Sequence, residues 1–193
     1  DTSRYSLIGA LALAFLTSLW PLSRFRSPKT DDINARIEAK NRYYGMTICP
    51  GYWSWVLRSH GQGVVASIET VGDELKRGND ELAQWTKHNA ALFLPISDDA
   101  TQAAFAQVAA HVASQTALMK AGALDEFLGG ADPWLIAKAM TLEGSVVVTH
   151  EQFNLQMRRK FSIPNVCQHF GVQCMDTFAV LGHTQANFVL SDE

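Results

Sequence analysis

The chain has 193 residues, 47% of them hydrophobic, and a formal net charge of −3. That length and apolar content suit one domain with a full core, and the charge excludes a global basic field for nucleic acid, so such a partner needs a local basic patch. Cys49, Cys167 and Cys174 form no CxxC pair and the six histidines are scattered, which fits neither a disulfide framework nor a zinc site and points to a reducing, cytoplasmic setting.

Residues 7–20, LIGALALAFLTSLW, are apolar except for Thr17 and Ser18, with Arg4 before them and Arg24, Arg26 and Lys29 after. The run is shorter than the roughly 20 residues of a spanning helix. It resembles a signal-peptide core, yet no A-x-A site follows. A membrane anchor, a buried helix and an extension outside the fold are the readings it leaves open. SRFRSPKTDD (23–32) is polar, basic and Pro-containing, and reads as a linker. Residues 1–31 are therefore expected to form an extension and linker, and residues 32–193 the compact domain.

Within that domain, 35–44 suits a helix ending at Gly45, and CPGYWSWVLR (49–58) a second helix with an aromatic face. VVASI (64–68) reads as a buried strand. Thr70-x-x-Asp73 matches a capping box for a helix that stops at Gly78. NDELAQWTKH (79–88) is another helix, and LFLPI (92–96) a short strand or extended connection. Residues 98–115 place Phe105, Val108, Ala109 and Val112 at helical spacing. A helix over 133–143 leads to the clearest strand, SVVVT (145–149). QMRRK (156–160) reads as a loop, IPNVC (163–167) and VQCM (172–175) as short strands, and DTFAVL (176–181) as the start of a last helix. Alternating helices and continuous apolar strands predict a parallel sheet covered on both faces, with sites beyond the carboxyl ends of the strands.

Acids recur where strands give way to helices: Asp32, Glu69, Asp73 and Glu74, Asp132, and Glu151. Carboxylates crowded at one sheet edge raise one another's pKa, and a divalent cation relieves the conflict. All-oxygen donors select Mg²⁺ or Mn²⁺, which can activate water for attack on a phosphodiester. Each acid also has a plain structural reading. Asp132 before Pro133 suits a helix N-cap, Asp73 belongs to the capping box, and Glu74 suits the first turn of its helix. Glu69 and Glu151 suit solvated positions, and Asp32 suits a polar linker. The recurrence at four junctions is what favours a site.

DINARIEAKNRYYGMTICPGYW (32–53), SIETVGDELKRGNDEL (67–82), ADPWLIAKA (131–139), VVVTHE (146–151) and IPNVCQHFGVQCMDTF (163–178) together resemble the PIN-like proteins of the toxin-type, VapC-like metal-dependent ribonucleases. The resemblance covers about residues 32–190. It implies an α/β fold, a three-layer α/β/α sandwich with a central parallel sheet, and a cluster of acids that binds Mg²⁺ or Mn²⁺. It also implies RNA cleavage, as the toxin of a toxin–antitoxin pair, with an RNA substrate and a cognate antitoxin as partners; a homo-oligomer stays open, and membrane association is not expected. The family acids fall on Asp32, Glu74, Asp132 and Glu151, with Asn34 near the first and Thr149 beside the last. The chain departs from the family before Asp32: RSPKTD stands where an apolar strand is normal, and Ile33, Ala35 and Arg36 fill the positions that follow. That departure supports an alternative, a non-catalytic PIN-like module that binds RNA or a protein.

Two basic groups offer phosphate contacts: Arg36, Lys40 and Arg42 on one expected helix, and Arg158, Arg159 and Lys160. An ordinary solvated face is the plainer reading of both. Tyr43, Tyr44, Tyr52, Trp53 and Trp55 could stack bases, but their spacing fits a packed helix pair better. His150 lacks a companion ligand at useful spacing, and there is no phosphate-binding glycine motif.

Overall fold

The computed structural model describes residues 14–16 and 45–189. The helix expected over 35–44 and the linker over 23–32 lie outside these. Five strands form one sheet: β1 (Ala14–Leu16), β2 (Val65–Ile68), β3 (Phe93–Leu94), β4 (Ser145–Val148) and β5 (Gln173–Met175), in the order β3-β2-β1-β4-β5. β2 pairs with β3, and β4 with β5, in parallel. β1 runs antiparallel to both β2 and β4, with Ala14 opposite Ala66 and Val147. The sheet is therefore mixed rather than wholly parallel. Because β1 opposes both its neighbours, β2, β3, β4 and β5 share one direction, and their carboxyl ends share one edge. Three residues of the apolar run 7–20 thus stand mid-sheet as a strand, not as part of a helix.

Eight α-helices complete the described residues: α1 (Pro50–Gly61), α2 (Glu69–Lys76), α3 (Glu81–His88), α4 (Asp99–Ser114), α5 (Ala123–Leu128), α6 (Asp132–Thr141), α7 (Ile163–His169) and α8 (Thr177–His183). Short acidic side chains start three of them. Asp80, Asp98 and Asp176 accept from the amides of Ala83, Thr101 and Ala179 at 2.9, 2.9 and 2.8 Å, satisfying donors that a helix start leaves open. Gly144, at φ +71°, makes the turn from α6 into β4 in a conformation that a side chain would strain.

Apolar side chains gather in two clusters. One joins α2, α4, α5, α6 and α7 to the sheet through Ile68, Val71, Leu75, Val108, Val112, Phe127, Leu135, Ile136, Val147 and Val166. The other joins α1 and α8 through Tyr52, Trp53, Val56, Val65, Val148 and Val180. Val147 and Val148 are successive residues of β4 and serve different clusters, as the alternation of a strand requires. α4 and α6 pack closely: the rings of Phe105 and Trp134 stack at 3.7 Å, and the largely buried Lys138 reaches Asp98 at 2.7 Å.

Two expected elements are corrected. IPNVC is helical, opening α7. Pro164 lacks the N–H that an inner strand must donate but suits a first helical turn. Ile163, Val166 and Cys167 then fall on one buried face. Thr70 does not cap α2. The chain passes from β2 straight into that helix at Glu69, the cap position is Ile68, and no side chain caps it. Asp73 instead pairs with Lys76 on the surface.

Candidate functional site

β2 and β4 both end at the carboxyl edge, one on each flank of β1. Beyond β4, the amide of Thr149 still donates to the carbonyl of Met175 at 2.9 Å, so the chain stays aligned with β5 for one more residue. The buried Thr149 hydroxyl then accepts from the Glu151 amide at 3.1 Å and fixes the turn that presents the Glu151 side chain. One Glu151 oxygen, Oε2, accepts from the amide of Ile163 at 2.8 Å, at the start of α7. The other, Oε1, is ion-paired with Lys160.

Glu74 approaches from α2, which follows β2. Its Oε1 accepts from the Ala131 amide at 2.9 Å. It thereby satisfies the start of α6 from 57 residues away, a stabilisation of about 1.5–3 kcal/mol for a bond to a charged acceptor. Asp132 is the first residue of α6 and not its cap. Ala131 holds the cap position, with helical φ −78° and ψ −22° and no side-chain cap bond. Asp132 does not follow a strand either, since α5 precedes it. It reaches the edge because α6 leads into β4 and so starts at the far end of that strand.

The structure thus brings Glu74, Asp132 and Glu151 together. Burial first, then the charges of Glu151 and Glu74, push the Asp132 carboxyl up to about 6, while Lys160 pulls back. Lys160 sits in the same field. Burial opposes its charge, but the hydrogen bond to Glu151 and the charges of Glu151, Asp132 and Glu126 outweigh that and hold its ammonium above the usual value. Cys167 and Cys174 lie close behind. The hydrogen bond to Cys174 and burial hold the Cys167 thiol protonated, and Asp132 adds to that effect.

Asp32, Asn34, Arg36, Lys40 and Arg42 lie outside the described residues. Arg158 and Arg159 are exposed beside Lys160. The Arg158 carbonyl accepts from the Lys120 amide at 2.7 Å, which ties this loop to the segment before α5. The loop is also clamped onto α7. Asn165 accepts from the Asn154 amide at 3.0 Å and donates to the Asn154 carbonyl at 2.8 Å. Sequence reasoning marked Lys160 as a phosphate contact and missed its pairing with Glu151. No periodic pattern announces a contact across such a loop.

Carboxylate oxygens are the donors that Mg²⁺ and Mn²⁺ prefer, and a carboxyl whose pKa is raised by burial and by two neighbouring acids is one whose charge a divalent cation would relieve. In kind, the donor set fits such an ion. Among the described residues, no three His, Cys, Asp or Glu side chains are grouped tightly enough to hold an ion as they stand. Glu74 and Glu151 have oxygens committed to backbone amides and to Lys160.

The molecule is thus a mixed α/β domain with an acidic edge where its like-directed strands end. Residues 31–188 match the family described as "Domain of unknown function (DUF4411)", and the chain belongs to that family. No curated protein and no solved structure matches the chain. Among the described residues, no helix is long and apolar enough to cross a membrane.

Proposed function

We propose that the chain is a PIN-like, metal-dependent endoribonuclease and the toxin of a toxin–antitoxin pair, with a three-layer α/β/α sandwich as its fold. The observation that carries the reading is Asp132. Three acids from separate segments meet at one edge, and one is held half-protonated near pH 6 by burial and by the other two. Strongly perturbed carboxyls of this kind concentrate at working sites. The two apolar clusters, one for each face of the sheet, support the layered fold.

Asp132, Glu74 and Glu151, with Asp32, would hold Mg²⁺ or Mn²⁺. Such an ion, when bound, supplies Lewis-acid stabilisation of the charge that develops at a phosphodiester and eases deprotonation of water. The chain's own groups do the rest. Thr149 fixes the approach of Glu151, and Glu74 fixes the start of α6 and hence the position of Asp132. Arg158 and Arg159 offer phosphate contacts beside the edge, with Arg36, Lys40 and Arg42 as further contacts. A cognate antitoxin would act by covering this edge.

A second reading has its own observation. Glu151 is neutralised by Lys160 and the Ile163 amide, and Glu74 is engaged by the Ala131 amide. A non-catalytic RNA- or protein-binding module would need no metal to be satisfied in this way. Cleavage of RNA in Mn²⁺, compared with EDTA and with Asp132→Asn, separates the two. The nuclease reading expects cutting by the wild type alone, with the variant down at least about a hundredfold. An inert wild type, or a variant that cuts equally well, leaves the binding module standing.

A further inference from the structure

The loop from Glu151 to Lys160 touches the acidic edge at both ends, and its middle lines an open groove of about 340 Å³ against the last turns of α4 and α7. That volume falls within the roughly 300–1,000 Å³ of small-ligand sites. Its wall carries a pair of stacked rings. His111 and His169 lie 3.6 Å apart and 16° from parallel, and Phe170 meets both edge-on. Gln115 donates to Nε2 of His111 at 3.0 Å and fixes that ring, while His169 is exposed. On the loop, Phe153 and Leu155 are 44% and 87% exposed. Asn154, between them, is held to Asn165 by both its backbone groups, and Met157 Sδ accepts from the Ser162 amide at 3.2 Å. The loop is therefore fixed while two large apolar side chains stay in water.

We propose that this groove binds an unpaired base of single-stranded RNA, which stacks on Phe153 and His169 while Arg158, Arg159 and Lys120 take the neighbouring phosphates. The inference rests on RNA as the partner of the chain; it needs neither a metal ion nor cleavage. Bases offer their flat faces only where they are unpaired, and aromatic rings beside cations are what hold such strands. The exposed Gln168 amide, which also lines the groove, can donate and accept at a base edge. The charges agree. None of the described residues lining the groove is acidic. Arg158 and Arg159 follow Met157 directly and are exposed, and the Arg158 carbonyl accepts from the amide of Lys120, also exposed, at 2.7 Å. With a net charge of −3, the chain has to draw a polyanion through a local patch of this kind. An apolar peptide would use the rings and leave these cations without a role.

The test is fluorescence polarisation of the full chain with a labelled single-stranded RNA of roughly eight nucleotides, in EDTA, on the wild type, Phe153→Ala and Phe153→Trp. Loss of one base stack should raise the Kd of Phe153→Ala by about fivefold to a hundredfold, while Phe153→Trp keeps a ring and stays within about threefold of the wild type. Circular dichroism confirms that each variant is folded, as an exposed position allows. A duplex of the same sequence should bind more weakly, because its bases already stack on one another. Wild-type affinity in Phe153→Ala, an equal loss in both variants, or equal binding of the duplex overturns the inference and leaves RNA as the partner. A wild-type dimer that Phe153→Ala turns into a monomer assigns the face to a second copy and also overturns it. If the wild type binds no RNA, RNA as the partner falls and takes the inference with it.

Discussion

Asp98 and Asp132 stand at the starts of α4 and α6, two helices that pack against each other, yet their environments are opposed. Asp98 caps its helix. Lys138 donates to it at 2.7 Å, and the Thr101 amide and hydroxyl donate at 2.8–2.9 Å. The Lys138 hydrogen bond first, and then those of Thr101, hold its carboxyl well below the usual carboxylate range. Asp132 is half-buried beside two other acids, and its carboxyl is pushed up to about 6. The first carboxylate has every partner it needs. The second is charged at neutral pH against its surroundings. A helix start therefore does not by itself make an acid stabilising; the difference lies in which charges the tertiary fold brings to it.

The largest loss of stability should come from Asp98→Ala. It removes the cap of α4 and leaves Lys138, which is buried at 9% exposure, without its carboxylate. Removing one partner of such a pair leaves the other charge uncompensated. Thermal melts should show Tm falling by several degrees, and by more than in Lys138→Met. That second change fills the same space, and the Asp98 side chain it leaves behind is 44% exposed to water. If Lys138→Met is the worse of the two, the lock between α4 and α6 owes more to the lysine's packing than to its charge.

Asp132→Asn comes next and has the opposite sign. A carboxyl whose folded pKa is raised contributes stability that is complete below its unfolded value and is lost as the pH rises through the folded one. For Asp132 the window runs from 3.8 to about 6. A shift of that size corresponds to on the order of 2–3 kcal/mol lost between about pH 4 and 7. The asparagine has no charge to lose. It should melt higher than the wild type at neutral pH, and the gap should close as the pH falls toward 4. Asp98 works the other way, because its depressed pKa gives stability that is present above the ordinary carboxylate value and lost in more acidic solution. An Asp132→Asn protein that is less stable at neutral pH would remove the contrast between the two sites.

Glu74→Ala tests the edge from its other side. It takes away the acceptor for the Ala131 amide and also one of the acids that raises Asp132. The two effects oppose each other. A net loss of about 1 kcal/mol at neutral pH is expected, growing at low pH where the relief of Asp132 no longer counts. Melts at two pH values separate the contributions, and a loss that does not depend on pH would mean that Glu74 is only a cap.

Most strands and helices, though not the mixed order of the sheet, were legible because their signals are local. VVASI and SVVVT are unbroken apolar runs, and Asp98 and Asp176 precede helices that they do cap. IPNVC was misread because five residues are too few for periodicity to decide between strand and helix. Thr70 was misread because the capping pattern is indifferent to what precedes it, and here a strand ends with no residue to spare before the helix. Ala14–Leu16 could not be read as the middle strand, since a long apolar run hides a three-residue pairing. At the site, strand and helix direction sufficed to suggest that Glu74 and Glu151 share an edge. The burial of Asp132, its neighbours and the Glu151–Lys160 pair come from packing and from a loop closed by Asn165, and no spacing in the chain encodes them.

The smallest effect is expected at Lys76→Ala, and it sharpens the comparison most cheaply. Lys76 pairs with Asp73 at 3.1 Å, close to the distance at which Lys138 meets Asp98. The two side chains are 36% and 63% exposed, so water and salt screen their attraction, and two flexible side chains must be ordered to hold it. The change should move stability by no more than about 0.5 kcal/mol and hardly shift the melt. Two ion pairs of similar length would then differ widely in worth, with burial of the lysine as the cause. A loss at Lys76 that approaches the one at Asp98 would show instead that charge pairing alone carries the stability. The high pKa of Asp132 would then have to be explained by its neighbours' charges rather than by the water it has lost.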